Sequence, residues 1–204
     1  MILEQLIVLT AMKIFDNISN ESICLAIGGG PVRHHPKLLN LNIGPFENVD
    51  IVADAHYLPY AGNCVEAIHC EAVLEHLYNP CLAVKEMYRV LKKDGLIYSC
   101  APFLQLYHGY PHHYQNFTLT GHINLFKSNG FNIKESGVCV GPSFALSMLI
   151  RKYIELYFPT WMKPLNELIS VLNFGIIKHL DKNLNYTPNA HLMASTTYLI
   201  AIKK

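Results

Sequence analysis

Charge is what this sequence has least of. Asp, Glu, Lys and Arg make up 15% of its 204 residues, and the formal net charge is +1. That balance excludes the basic field nucleic-acid binding requires, and 51% apolar residues exclude a disordered chain. CxxC pairs are missing: the six cysteines stand apart at positions 24, 64, 70, 81, 100 and 139. Scattered thiols exclude a zinc-ribbon framework and suit core packing in a reducing, cytoplasmic compartment. No apolar run reaches the ~18 residues of a membrane span. The opening residues, MILEQLIVLTAMKIFDN, carry Glu4 and lack the basic start and small-residue cleavage site of a secretory leader. Two phosphate-binding signatures are absent too. No Lys-Ser/Thr follows the glycines at 28–30, and Arg33 stands where GxGxxG needs its last glycine. ATP-binding and nicotinamide-dependent oxidoreductase readings recede accordingly.

What is present is a succession of short apolar runs parted by helical spacing. Strands are expected at Ile23–Ile27, Leu38–Ile43, Val49–Ala53, Val65–Cys70, Leu96–Ala101, Phe131–Val140 and Tyr198–Ile202. Leu82, Val84, Met87, Tyr88 and Leu91 share a helical face that Lys92 to Gly95 closes, and Thr118 to Asn129 reads as another helix. An amphipathic helix is expected within residues 1–20. The segment PVRHHPK between the first two strands is too short and proline-rich for a full helix. The pattern predicts one α/β domain over 1–204, a Rossmann-like, mostly parallel seven-stranded sheet flanked by helices. Residues 142–185 enter as a helical insertion before the last strand, two helices broken at Pro159 and Pro164.

Gly28, Gly29 and Gly30 directly follow the first buried strand, where a glycine bend lets a ligand approach the backbone at the carboxyl end of a sheet. A plain tight turn would look the same. Three further segments follow AIGGG in order: VADAHYLPY, EAIHCEAVLEHL and EMYRVLKKDGLIY. Together they resemble the class I methyltransferases of the type 11 group, with its glycine loop, "D-A-x-x-L-P-F", "F-D-x-V…x-L-E-H" and "R-V-L-K-P-G-G". The resemblance spans roughly residues 23–140 and implies S-adenosylmethionine as cofactor. It places Gly28, Gly29 and Gly30 at the methionine and ribose, Asn42 at the ribose, Asp54 and Ala55 at the adenine, and Cys70 and Glu71 at the methionine end. Departures from the pattern are Ala26 and Asn42 in place of acidic residues, Val32 in place of a third glycine, Lys93-Asp94 in place of Pro-Gly, and Glu66 in place of Asp. An amide keeps a hydrogen bond to a hydroxyl but forfeits charge assistance. The implied activity is methyl transfer to a hydroxyl or amine of a small-molecule or sugar acceptor. The alternative is a degenerate relative that serves as a binding or assembly partner.

The loop PFLQLYHGYPHHYQNFT starts at the carboxyl end of the fifth strand. Its histidines could act as general base, bind a metal, or simply pack a lid. His108 and His112 are the candidate catalytic residues, and His76, His113 and Tyr114 the candidate substrate contacts. Adjacent His112 and His113 suit a bidentate metal grip poorly, so no metal is expected. Glu75 and His76 open a helix beside the pocket, or merely cap it. His34 and His35 read as a solvated loop or as replacement cofactor contacts, and His69 as a satisfied core or sheet-face residue. The apolar faces of 142–185 (Leu146, Leu149, Ile150, Tyr153, Leu156 and Tyr157, then Leu165, Leu168, Ile169, Leu172 and Ile176) read as a lid over the sheet, a homodimer surface or a peripheral membrane contact.

Overall fold

A computed structural model describes residues 15–16, 18–19, 21–109, 112–172 and 176–204. The helix expected within 1–20 falls largely outside them. Seven strands form one sheet: β1 (Ile23–Ile27), β2 (Leu38–Asn42), β3 (Ile51–Val52), β4 (Val65–Glu71), β5 (Leu91–Pro102), β6 (Phe131–Val140) and β7 (Thr196–Lys203). Their order is β3-β2-β1-β4-β5-β7-β6, parallel except that β7 runs antiparallel to both neighbours. The central strands are buried on both faces, which is why ICLAI and AIHC read as continuous apolar runs rather than alternating ones. β3 is shorter than the expected Val49–Ala53. β5 begins five residues before the expected Leu96, because the helix ahead of it ends at Val90.

One face of the sheet is covered by α1 (Pro80–Val90) and α2 (Leu119–Ser128). Pro80 fits the first turn of α1, and the Asn79 side chain accepts from Leu82 N; Thr118 does the same for Gly121 N at α2. Ala83, Val84, Met87 and Val90 of α1 and Phe126 of α2 pack on Leu25, Ile27, Ile68 and Ile97. The other face has no helix between β1 and β2 or between β2 and β3. Phe15 instead covers Cys24, Ala26, Leu38 and Ala67. Without a helix, residues 28–37 are fastened by side chains. Arg33 bonds Asp50 and Leu38 O, Asn40 Nδ2 bonds Gly30 O, and Lys37 Nζ bonds Asp16 O and Ile18 O.

Among the described residues between β6 and β7 are three α-helices, not two: α3 (Pro142–Tyr157), α4 (Lys163–Leu172) and α5 (Lys178–Leu184). Pro164 breaks nothing, since it occupies the first turn of α4, where a missing N–H costs no hydrogen bond. Buried Asp181 of α5 accepts from Ser143 N and Phe144 N, filling the bare amino end of α3 with a carboxylate. The large apolar side chains expected to form a lid do not pack down. Leu146, Leu149, Ile150, Tyr153, Leu156 and Tyr157 are exposed, and α3 buries Ala145, Ser147 and Ile154 instead. Among the described residues no helix is long and apolar enough to cross a membrane, and all six cysteines are free, four of them buried.

Candidate functional site

The carboxyl ends of β1, β2 and β3 meet at one rim. Gly28 N donates to Leu41 O (2.8 Å) and Ala53 N to Asn42 O (2.9 Å), so the glycine bend, Asn42 and Asp54 stand side by side. Gly28 and Gly30 have φ of +73° and +58°. At Gly28 a Cβ would strike Val73 Cγ2, and at Gly30 it would meet nothing within 4 Å, so the backbone there lies open. Asn40 holds the bend from below through Gly30 O and Asn48 O. Next to Asn42, Ile43 is 64% exposed at the sheet edge. An open glycine backbone, an amide at the end of β2 and a bare aliphatic side chain fit a ribose and an adenine. The sequence reading placed Ile43 inside the second strand, whereas β2 ends one residue earlier, at Asn42, and leaves it bare.

Asp54 is not wholly available. Its Oδ1 accepts from His56 N and contacts His56 Nδ1 at 2.6 Å, and His56 stacks on Tyr78. Ala55 is buried beside it. Cys70 points its side chain into the core under α1, where burial drives the thiol's pKa far up, leaving only its backbone at the rim. Glu71 turns to the other face. Its Oε2 lies 3.2 Å from His69 Nε2, and burial, which would raise its pKa, is outweighed by His69 and His34 so that it is lowered. His69 corrects an expectation: it is buried among His34, Tyr98 and Phe15, yet its Nε2 has no properly aligned hydrogen-bond partner among the described residues. His34 is packed on it rather than solvated, and burial lowers its pKa.

A second cluster stands past β4 and β5 on the same rim. Val73 touches the Gly28 position, and Glu75 follows two residues on, in the single 3₁₀ turn Leu74–His76. Glu75 has 0% exposure, caps nothing, and neither carboxylate oxygen has a hydrogen-bond partner among the described residues. Burial pushes its pKa up to about 7 against the opposing pull of its own backbone and of His108 and His113. His76 Nε2 and His108 Nε2 approach Glu75 Oε1 at 3.7 and 3.8 Å. His113 accepts from His108 N through Nδ1 and bonds Asn116 through Nε2, so both its nitrogens are used in holding the loop. His112 does not join. Its ring is exposed against Tyr114, and it contributes its carbonyl to His76 Nδ1. Tyr114 is likewise exposed, with its N–H on Glu75 O, and Tyr107, His113, Tyr114, Gln115 and Asn116 line an open depression of about 220 Å³. Among the described residues two donor sets occur, Glu75/His76/His108 and His34/His69/Glu71, and within each set the ligand atoms lie within 4.8 Å of one another.

Residues 34–99 match a family described as "Methyltransferase domain". No curated protein matches the sequence. The fold is shared with the [4+2]-cyclase SpnF (TM-score 0.58, 13% identity, 95% of this chain and 80% of that one). It is shared too with phosphoethanolamine N-methyltransferase 2 of Haemonchus contortus, solved with phosphomonomethylethanolamine and S-adenosylhomocysteine (TM-score 0.56, 15% identity, 96% of this chain and 52% of that one). An S-adenosylmethionine-dependent methyltransferase from Mesorhizobium loti gives TM-score 0.56 at 10% identity over 98% of both chains.

Proposed function

From a chain whose residues 34–99 match a methyltransferase domain and whose fold is shared with solved methyltransferases, we propose methyl transfer from S-adenosylmethionine to a hydroxyl or amine of a small-molecule or sugar acceptor. The observation that carries this reading is the meeting of the open glycine bend, Asn42 and Asp54 at one rim, with buried Glu75 two residues beyond the Val73 contact. When bound, S-adenosylmethionine supplies a methyl group activated by its sulfonium. Gly28, Gly29 and Gly30 would lie along its methionine and ribose, Asn42 would hydrogen-bond the ribose hydroxyls, and Ile43, Asp54 and Ala55 would border the adenine. The side chains of Cys70 and Glu71 point elsewhere, so only their backbone serves. The acceptor's proton passes to His108 Nε2, and the Glu75 carboxylate beside it stabilises the imidazolium. Much of the acceleration comes from holding acceptor and methyl in line. On this reading His112 serves through its carbonyl, which holds His76, and His113 positions His108.

Incubation with methyl-labelled S-adenosylmethionine and a small-molecule extract tests this. Label should move into the low-mass fraction, and His108→Ala should cut the rate about 100-fold with cofactor affinity kept. No transfer by the wild-type chain, or an undiminished rate in His108→Ala, would contradict the reading. The exposed apolar face of α3 and α4 additionally supports a homodimer or membrane-surface contact through 142–185.

A further inference from the structure

We propose that Glu75, His76 and His108 form a binding site for one divalent transition-metal ion, with zinc the ion that best suits two imidazoles and a carboxylate. The two imidazoles are already oriented as ligands. His76 Nδ1 is engaged by the His112 carbonyl, and His108 Nδ1 by the Leu106 carbonyl (2.9 Å). Backbone partners of that kind fix the tautomer and leave Nε2 with a lone pair for a metal. Both Nε2 atoms face the same Glu75 oxygen, at 3.7 and 3.8 Å. Those separations are too long for hydrogen bonds. A tetrahedral ion about 2.1 Å from each donor would space the donors about 3.4 Å apart, so both separations from Glu75 lie a few tenths of an ångström from that spacing, and all three donor atoms lie within 4.8 Å of one another. Independent of the histidines, Glu75 is fully buried with two oxygens that no described residue satisfies. A carboxylate in that position is costly unless a cation or donor meets it.

Three protein donors leave a coordination position open, the pattern of zinc sites that work on a bound oxygen rather than hold a fold. The site's catalytic meaning rests on the methyl-transfer reading, though its existence does not. With an ion in place, the acceptor oxygen would be polarised directly, and His108 would serve as ligand rather than proton acceptor. The adjacency of His112 and His113, which made a metal unattractive from sequence, is beside the point. The ligands come from a turn after β4 and a loop after β5, and His113 stacks edge-on against His108 as support.

Untagged protein stripped with a chelator should be titrated with Zn²⁺ by calorimetry and with Co²⁺ by visible absorption. One equivalent per chain is expected, with the Co²⁺ bands of a low-coordinate nitrogen site. Glu75→Gln and His108→Ala should each weaken uptake at least ~100-fold while far-ultraviolet circular dichroism is kept. If Glu75→Gln does not fold, His76→Gln provides the same comparison. His34→Ala, in the other donor set, should bind as the wild type does. No stoichiometric uptake, or a loss that follows His34→Ala and spares His108→Ala, would overturn the proposal. A parallel titration with S-adenosylmethionine separates the two ideas: intact cofactor binding without metal uptake sinks the metal site alone, and metal uptake without cofactor binding sinks the methyl-transfer reading alone.

Discussion

His122 shows how one buried side chain governs acid stability. It sits wholly inside the fold, with Nε2 2.9 Å from Ser99 Oγ and Nδ1 3.3 Å from Thr197 Oγ1. Burial lowers its pKa to about 3. The unfolded chain binds that proton near pH 6.5, so its contribution to stability is complete above about 6.5 and drains away as pH falls toward about 3. Urea unfolding should therefore show a loss of about 2 kcal/mol between pH 6.5 and pH 5 from this group. His122→Gln should flatten that slope; an unchanged slope would contradict the assignment. In the proposed site Asn42 would set cofactor strength, because an amide stands at the end of β2 where the type 11 pattern has a carboxylate. Glu75 could be placed beside the pocket from sequence, but only its burial, with no exposure at all, shows that it is more than a helix cap.

Lys203 ties the last strand to the first helix. From β7 its Nζ donates to Tyr88 O (2.6 Å), Leu91 O (2.7 Å) and Arg89 O (3.3 Å) and to Asn63 Oδ1 (2.9 Å), closing the carboxyl end of α1. Lys203→Met would leave buried carbonyls without donors, at a cost of about 3 kcal/mol. Thermal unfolding should show the midpoint lowered by about 6–12 °C, and a change under 2 °C would refute the role. At this scale much was legible. ICLAI, AIHC and LIYSCA are strands because they carry unbroken apolar runs, and PVRHHPK forms no helix because it holds two prolines within a connection of only ten residues, 28–37. The early start of β5 was hidden, since LKKDG carries the signals of a helix end and Asp94 meets the turn by adopting a positive φ. The third helix of the insertion was hidden as well, because KHLDKNL is too short for its period to show.

For the molecule as a whole, the fold fixes where chemistry can occur but not which chemistry, as a [4+2]-cyclase on the same fold illustrates. The insertion illustrates the limit of pattern reading: helical spacing shows that a face is apolar, not what it faces. Here Tyr157 is 71% and Trp161 75% exposed. A face of this kind should make the protein either sediment with anionic liposomes or elute earlier in gel filtration as concentration rises; a monomer at all concentrations that ignores liposomes would leave that face without a function.

The rim itself is the central claim, and calorimetric titration of S-adenosylmethionine into wild-type and Asn42→Asp protein tests it most directly. Single-site binding is predicted for both, about 10-fold tighter in Asn42→Asp because the ribose regains a charged acceptor. No saturable binding to either protein at millimolar cofactor would contradict it.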